Sequence, residues 1–175
     1  MKLNIVLYNP EIPQNTGNIM RTCVAINAKL HLIKPLGFSL DEKHLRRSAV
    51  DYYDSIDYTV YENYEEFLSK NNGQFYFLTR YGNKPHSSCD FTKSNEDIYL
   101  IFGKESTGIP YEILANNFEN CYRIPTTDKV RSLNLSNCVA ICSFEVLRQL
   151  NYPGLIDHEP DTLKGENFLN QYMNK

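Results

Sequence analysis

Six short apolar runs recur along the chain, and the stretches between them change to helical spacing. "LNIVLY" (3 to 8), "LHLIKP" (30 to 35), "YTVYE" (58 to 62), "FYFLT" (75 to 79), "IYLIFG" (98 to 103) and "CYRIP" (121 to 125) read as strands. Several are apolar on both faces, as strands covered by helices on both sides must be. Helices are expected near 15 to 28, 41 to 48, 64 to 71, 110 to 117 and, the longest, 134 to 151. Ser39 with Glu42 and Asn63 with Glu66 have capping-box spacing, and Pro110 suits a first helical position. Strand and helix in alternation predict an α/β fold built on a mainly parallel sheet.

With 175 residues, 42% of them apolar, the chain can bury one good core, and two would be cramped. A single domain over 1–154 is expected. "NYPG" (151 to 154) stops the last long helix, and 155–175 form a polar C-terminal tail with a weakly amphipathic segment carrying Leu163, Phe168, Leu169, Tyr172 and Met173. The net charge of -3 argues against a broadly basic nucleic-acid binder, so any anionic partner must meet a local patch. The densest basic cluster, Lys43, His44, Arg46 and Arg47, falls on the helix expected at 41 to 48, and Arg80 with Lys84 follows the fourth strand. No metal site is expected: the chain has no CxxC pair, its four histidines are scattered, and His86 with Cys89 supplies too few ligands. The odd count of five cysteines, with Cys138 and Cys142 one helical turn apart, reads as small buried hydrophobes in a reducing compartment. The N-terminal apolar run is too short for a membrane span, so a soluble cytoplasmic protein is the expectation.

Three polar clusters follow apolar strands, where open α/β sheets bind ligands. In "NPEIPQNTGNIMRTC" the residues Asn15, Thr16, Gly17 and Asn18 read as a polar turn into a helix, with Arg21 within reach of it. In "FGKESTGIP" the glycines Gly103 and Gly108 have P-loop spacing, but Ile109 and Pro110 stand where that motif needs Lys and Ser or Thr. A plain strand-to-helix turn would explain the glycines and leave Glu105, Ser106 and Thr107 unused. In "RIPTTDKVRSLNLSNCVAI" five polar residues, Arg131, Ser132, Asn134, Ser136 and Asn137, crowd the start of an apolar helix that needs only one cap.

Together "NTGNIMRTC", "FGKESTGIP" and "IPTTDKVRSLNLSNCVAICSFEVLRQ" resemble the three motifs of the SPOUT class of RNA 2′-O-methyltransferases, most closely the small TrmL type. The resemblance runs from the first strand to "NYPG". It implies a C-terminal trefoil knot, an exception to the rule of unknotted chains, and S-adenosylmethionine as methyl donor. It also implies a homodimer and methylation of the wobble ribose of tRNA, at cytidine 34 or uridine 34. By motif match the donor would be held by Leu78, Thr79, Gly103, Ile124, Ser132 and Asn134. Catalysis would fall to Arg21, Asn15, Glu105 and Arg131, and RNA contacts to Lys43, Arg46, Arg47 and Arg80. Related enzymes often carry Tyr where this chain has Phe144. Two other readings stand beside this one: a flavodoxin-like electron carrier, for which "TGN" would be a flavin phosphate loop, and an RNA-binding module of the same fold without catalysis.

Overall fold

The computed structural model describes residues 1–40, 55–93 and 95–173. Seven strands form one sheet: β1 (Leu3–Tyr8), β2 (Lys29–Ile33), β3 (Tyr58–Tyr61), β4 (Gln74–Leu78), β5 (Lys84–Pro85), β6 (Ile98–Phe102) and β7 (Cys121–Arg123). Their order is β3-β2-β1-β6-β4-β7-β5, and every pairing is parallel. The helices are α1 (Pro13–Ala25), α2 (Tyr64–Lys70), α3 (Tyr111–Asn116), α4 (Leu135–Gln149) and α5 (Asn170–Met173). Parallel strands need crossovers, and these put helices on both faces.

Strand alternation sorts the core into two layers. Leu3, Ile5, Leu7, Leu30, Leu32, Leu100 and Phe102 face one way, against Ile19, Met20 and Cys23 of α1 and Val139, Cys142, Val146 and Leu147 of α4. Val6, Ile33, Phe77 and Ile101 face the other way, against Phe67 of α2 and Leu114 of α3. That second layer holds a buried polar chain. His31 lies 3.1 Å through Nε2 from Asn4 Oδ1 and 2.9 Å through Nδ1 from the Tyr61 hydroxyl, which accepts from Asn71 Nδ2 at 3.1 Å. Tyr61 stacks on the imidazole, and Phe67 and Tyr99 approach it edge-on. Burial, with Lys29 adding to it and Asp57 opposing it, pulls His31 down to about 4 from 6.5.

The helix starts differ from expectation in instructive ways. α1 begins at Pro13, because proline fixes the first-turn dihedral and needs no capping side chain; its N-cap, Ile12, makes none. Asn15, Thr16 and Gly17 are therefore buried in the first turns of the helix, and no polar turn precedes it. Pro110 is the N-cap of α3, one place before the position expected of it. Asn63 caps α2 by accepting from Glu66 N, while the Glu66 carboxylate accepts from Glu62 N, one residue ahead of the cap. Strand β5 escapes sequence reading because it is two residues long and one of them is proline. The expected helix at 41 to 48, with Glu42 of the first capping box, lies outside the described residues. In the tail, Leu155 packs against the first core layer, while Leu163, Leu169, Tyr172 and Met173 are exposed.

Candidate active site

The carboxyl ends of β4, β6 and β7 open onto one cavity of about 310 Å³. It lies outside the carboxyl ends of the strands, the side on which open α/β sheets bind ligands. Its walls are the segment after β4, the loop 103–109 after β6, and the segment 123–135 that leads into α4. Leu78, Phe102, Ile124 and Leu135 supply apolar lining. The charged lining residues are Arg80, Lys104, Arg123 and Arg131 against one carboxylate, Glu105. Four cations facing one acid, in a chain of net charge -3, make a local basic patch.

A hydrogen-bonded chain ties the three polar clusters together. Glu105 accepts from Glu11 N at 2.9 Å, from Ile12 N at 3.3 Å and from Asn15 Nδ2 at 3.0 Å. Asn15 Oδ1 accepts from Asn134 Nδ2 at 2.9 Å. Asn134 caps α4 in turn, accepting from Ser136 N at 2.9 Å and from the Ser136 hydroxyl at 2.7 Å. Glu11 returns the exchange, accepting from Ser106 N at 3.0 Å and from its hydroxyl at 2.8 Å. Glu105 thus serves the amides at the start of α1, which has no capping side chain of its own, and its negative charge suits that helix end. Part of the polar surplus at 131–137 has its explanation here: Asn134 caps α4 through Ser136 and clips it to α1, and through Asn15 to Glu105 of the 103–109 loop.

Leu78, Thr79, Gly103, Ile124, Ser132, Asn134, Asn15, Glu105, Arg131 and Arg80 all line the cavity. Arg21 does not. It is exposed on α1, six residues past Asn15, and at about 100° per residue it points some 240° round the helix. Lys43, Arg46 and Arg47 lie outside the described residues. The flavin reading is overturned, since Thr16 and Gly17 are buried inside α1 and form no open phosphate loop.

Gly103 acts otherwise than its place on the lining suggests. A Cβ there would stand 2.2 Å from Ile109 N and 2.3 Å from the Gly108 carbonyl carbon. A side chain would therefore meet the loop's own backbone, and only displacement of 104–109 could admit it. The loop closes on itself where Gly108 N donates to Lys104 O at 3.0 Å, with Gly108 at a positive φ of 78°. Sequence reasoning missed Tyr81 beside Arg80, and Lys104 and Arg123; each adjoins a residue or strand end already singled out, but none sits in a recognisable pattern.

The SpoU rRNA methylase family profile matches residues 2–144. A tRNA (cytidine(34)-2′-O)-methyltransferase of Escherichia coli (strain K12) is 45% identical over 156 residues, 88% of this chain and 98% of its own. A solved structure offering insight into the 2-OH methylation of C/U34 on tRNA superposes with a TM-score of 0.78 at 38% identity, covering 86% of this chain and 97% of that one. An AdoMet-bound rRNA methyltransferase from Sinorhizobium meliloti superposes with a TM-score of 0.76 at 25% identity, covering 85% of this chain and 57% of that one. With its three motif loops drawn to one cavity and its sequence matched almost from end to end of the parallel sheet, the chain belongs to the SpoU methylase family.

Proposed function

We propose that the protein transfers a methyl group from S-adenosylmethionine to the ribose 2′-hydroxyl of nucleotide 34 of tRNA, a cytidine or a uridine. The observation that carries this reading is the single cavity onto which the three motif loops converge, in a chain similar over most of its length to an enzyme named for that reaction. The lining fits the donor. Leu78, Phe102, Ile124 and Leu135 suit its apolar parts, and the surrounding loops offer main-chain groups to its polar edges. When bound, it supplies an electrophilic methyl group on a sulfonium.

The chain's own residues then divide the work. Leu78, Thr79, Ile124 and Ser132 hold the donor, and Gly103 serves by letting the 104–109 loop close tightly beside it. Asn15, Glu105 and Asn134 are bonded to one another and to neighbouring amides and keep the loops in register, which serves the proximity on which the transfer depends. Arg131 and Arg80 meet RNA phosphates, joined by Lys43, Arg46 and Arg47. Arg21 stabilises the alkoxide that develops on the ribose. A guanidinium, with a pKa above about 12 and no acceptor, cannot serve as the base.

Arg21 reaches the ribose through a homodimer in which α1 and α4 meet their copies. Ile141 and Phe144 stand 38% and 48% exposed on α4, an apolar face that such pairing would cover. The 1–154 domain, with its C-terminal part threaded as a trefoil knot, would carry the reaction in the cytoplasm, and the 155–175 tail, anchored by Leu155, would take no part in it. The test is to incubate the purified protein with methyl-labelled S-adenosylmethionine and tRNA and to locate the label. Label on the ribose of nucleotide 34 is expected. Bound donor without transfer would leave a binding module, and label on a base would sink the proposed chemistry.

A further inference from the structure

At the mouth of the cavity stands a pair of exposed aromatic rings. Tyr81, three residues past β4, lines the mouth, while Tyr111, the first residue of α3, lies outside the lining. Their rings meet edge to face, with centroids 5.5 Å apart at 82°, and their hydroxyls are 3.2 Å apart. Arg80 completes the group: its guanidinium carbon lies 4.7 Å from the centre of the Tyr81 ring, and it donates to the Tyr81 hydroxyl. Tyr81 is 43% and Tyr111 62% exposed, so ring surface is open to solvent. Each ring is held by the other, and Tyr81 by Arg80 as well, so their exposed faces are fixed in orientation.

We propose that Tyr111, braced by Tyr81 and Arg80, is a stacking platform for an unpaired base of the RNA substrate, at or next to the ribose that enters the cavity. The inference rests on the RNA-methylating reading above and adds to it the group that seats the nucleotide. A ribose brought to the cavity mouth must leave its base outside, and an aromatic face beside a guanidinium offers that base a stack and its phosphate a partner. The four cations on the lining bias the same mouth toward a polyanion. The donor is the less apt occupant, because Tyr111 lies beyond the cavity the donor would fill. Stacking tolerates every base, so the platform adds affinity without choosing between cytidine and uridine.

The chain has no tryptophan, which gives a direct reading of the contact. Tyr111→Trp installs one reporter, whose fluorescence a stacked base should quench when tRNA is added, while S-adenosylhomocysteine alone should leave it unchanged. Tyr111→Ala should raise the KM for tRNA roughly 5- to 100-fold, with kcat at saturating RNA and S-adenosylhomocysteine affinity little altered, and Tyr111→Trp should restore the KM toward the parent's. An unquenched tryptophan in a protein that still binds tRNA would overturn the platform, as would an alanine variant with the parental KM. Quenching by S-adenosylhomocysteine alone would reassign the rings to the donor. The parent is assayed first: if it neither binds nor methylates tRNA, the RNA reading fails and the platform with it, whereas a working parent with an indifferent Tyr111 rejects the platform only.

Discussion

Two polar networks in this molecule are built for different ends. The Asn4–His31–Tyr61–Asn71 chain joins β1, β2, β3 and the end of α2 beneath an aromatic cover, with His31 only 1% exposed. The Glu105–Asn15–Asn134 chain joins three loops and helix starts at the edge of an open cavity. In the first, the sheet register already fixes the partners, and the hydrogen bonds repair the cost of burying polar groups. In the second, no strand pairing holds the loops together, so the side chains themselves set the shape of the site. Stability should therefore depend on both networks, and activity on the second far more than the first.

The largest expected effect tests the core network by acid. His31 is held neutral in the fold, so its contribution is complete above its ordinary value near 6.5 and is lost as pH falls toward about 4. The loss is on the order of 3 kcal/mol. Urea unfolding at pH 7 and pH 4 should record it, and the ring resonances of His31 should begin to titrate only near pH 4. Titration near 6.5 would mean that the imidazole is not buried in this network.

Next comes Glu105→Ala, which leaves the Glu11 and Ile12 amides and the Asn15 side chain without their acceptor. A loss of about 2 kcal/mol is expected, together with weakened S-adenosylhomocysteine binding by calorimetry. If the stability falls and the affinity does not, the clip is ordinary capping with no bearing on the site. Asn134→Ala removes a cap and should cost about 1 kcal/mol in thermal unfolding, again with a loss of donor affinity that a cap on a remote helix would not produce.

The smallest effect on stability belongs to Arg21→Ala, under about 0.5 kcal/mol for an exposed position. Turnover is the sharper measure there. Loss of one preorganised donor should reduce it roughly 10²-fold with donor affinity unchanged, and parental turnover would return Arg21 to the ordinary surface.

The comparison also explains what could be read in advance. Strands β1, β2, β3, β4 and β6 were legible because their apolar runs are long enough to betray a buried sheet, and α2 because Asn63 and Glu66 mark its start. The three motif clusters were legible as polar residues with no local duty. What they do was not, because hydrogen bonds between residues 15, 105 and 134 belong to the folded topology and leave no mark in local spacing. Asn15 looked like part of an open turn because a proline-led helix start lacks the usual capping residue. Tyr81 and Tyr111 were invisible for the opposite reason: among 13 tyrosines, these two carry no signal until the fold sets them face to edge.

The strand order has one further consequence, for how the chain is made. β1 is flanked by β2 and β6, and its β6 pairing joins residues 3–7 to residues 98–102. During synthesis β1 and β2 emerge early, yet the other edge of β1 stays open until more than half of the chain has left the ribosome. An unpaired, apolar strand edge is a template for unwanted pairing, and closing so long a loop slows folding. The nascent first half is therefore where this protein is most exposed to aggregation, and its completion waits on β6, whose far end is the cavity floor.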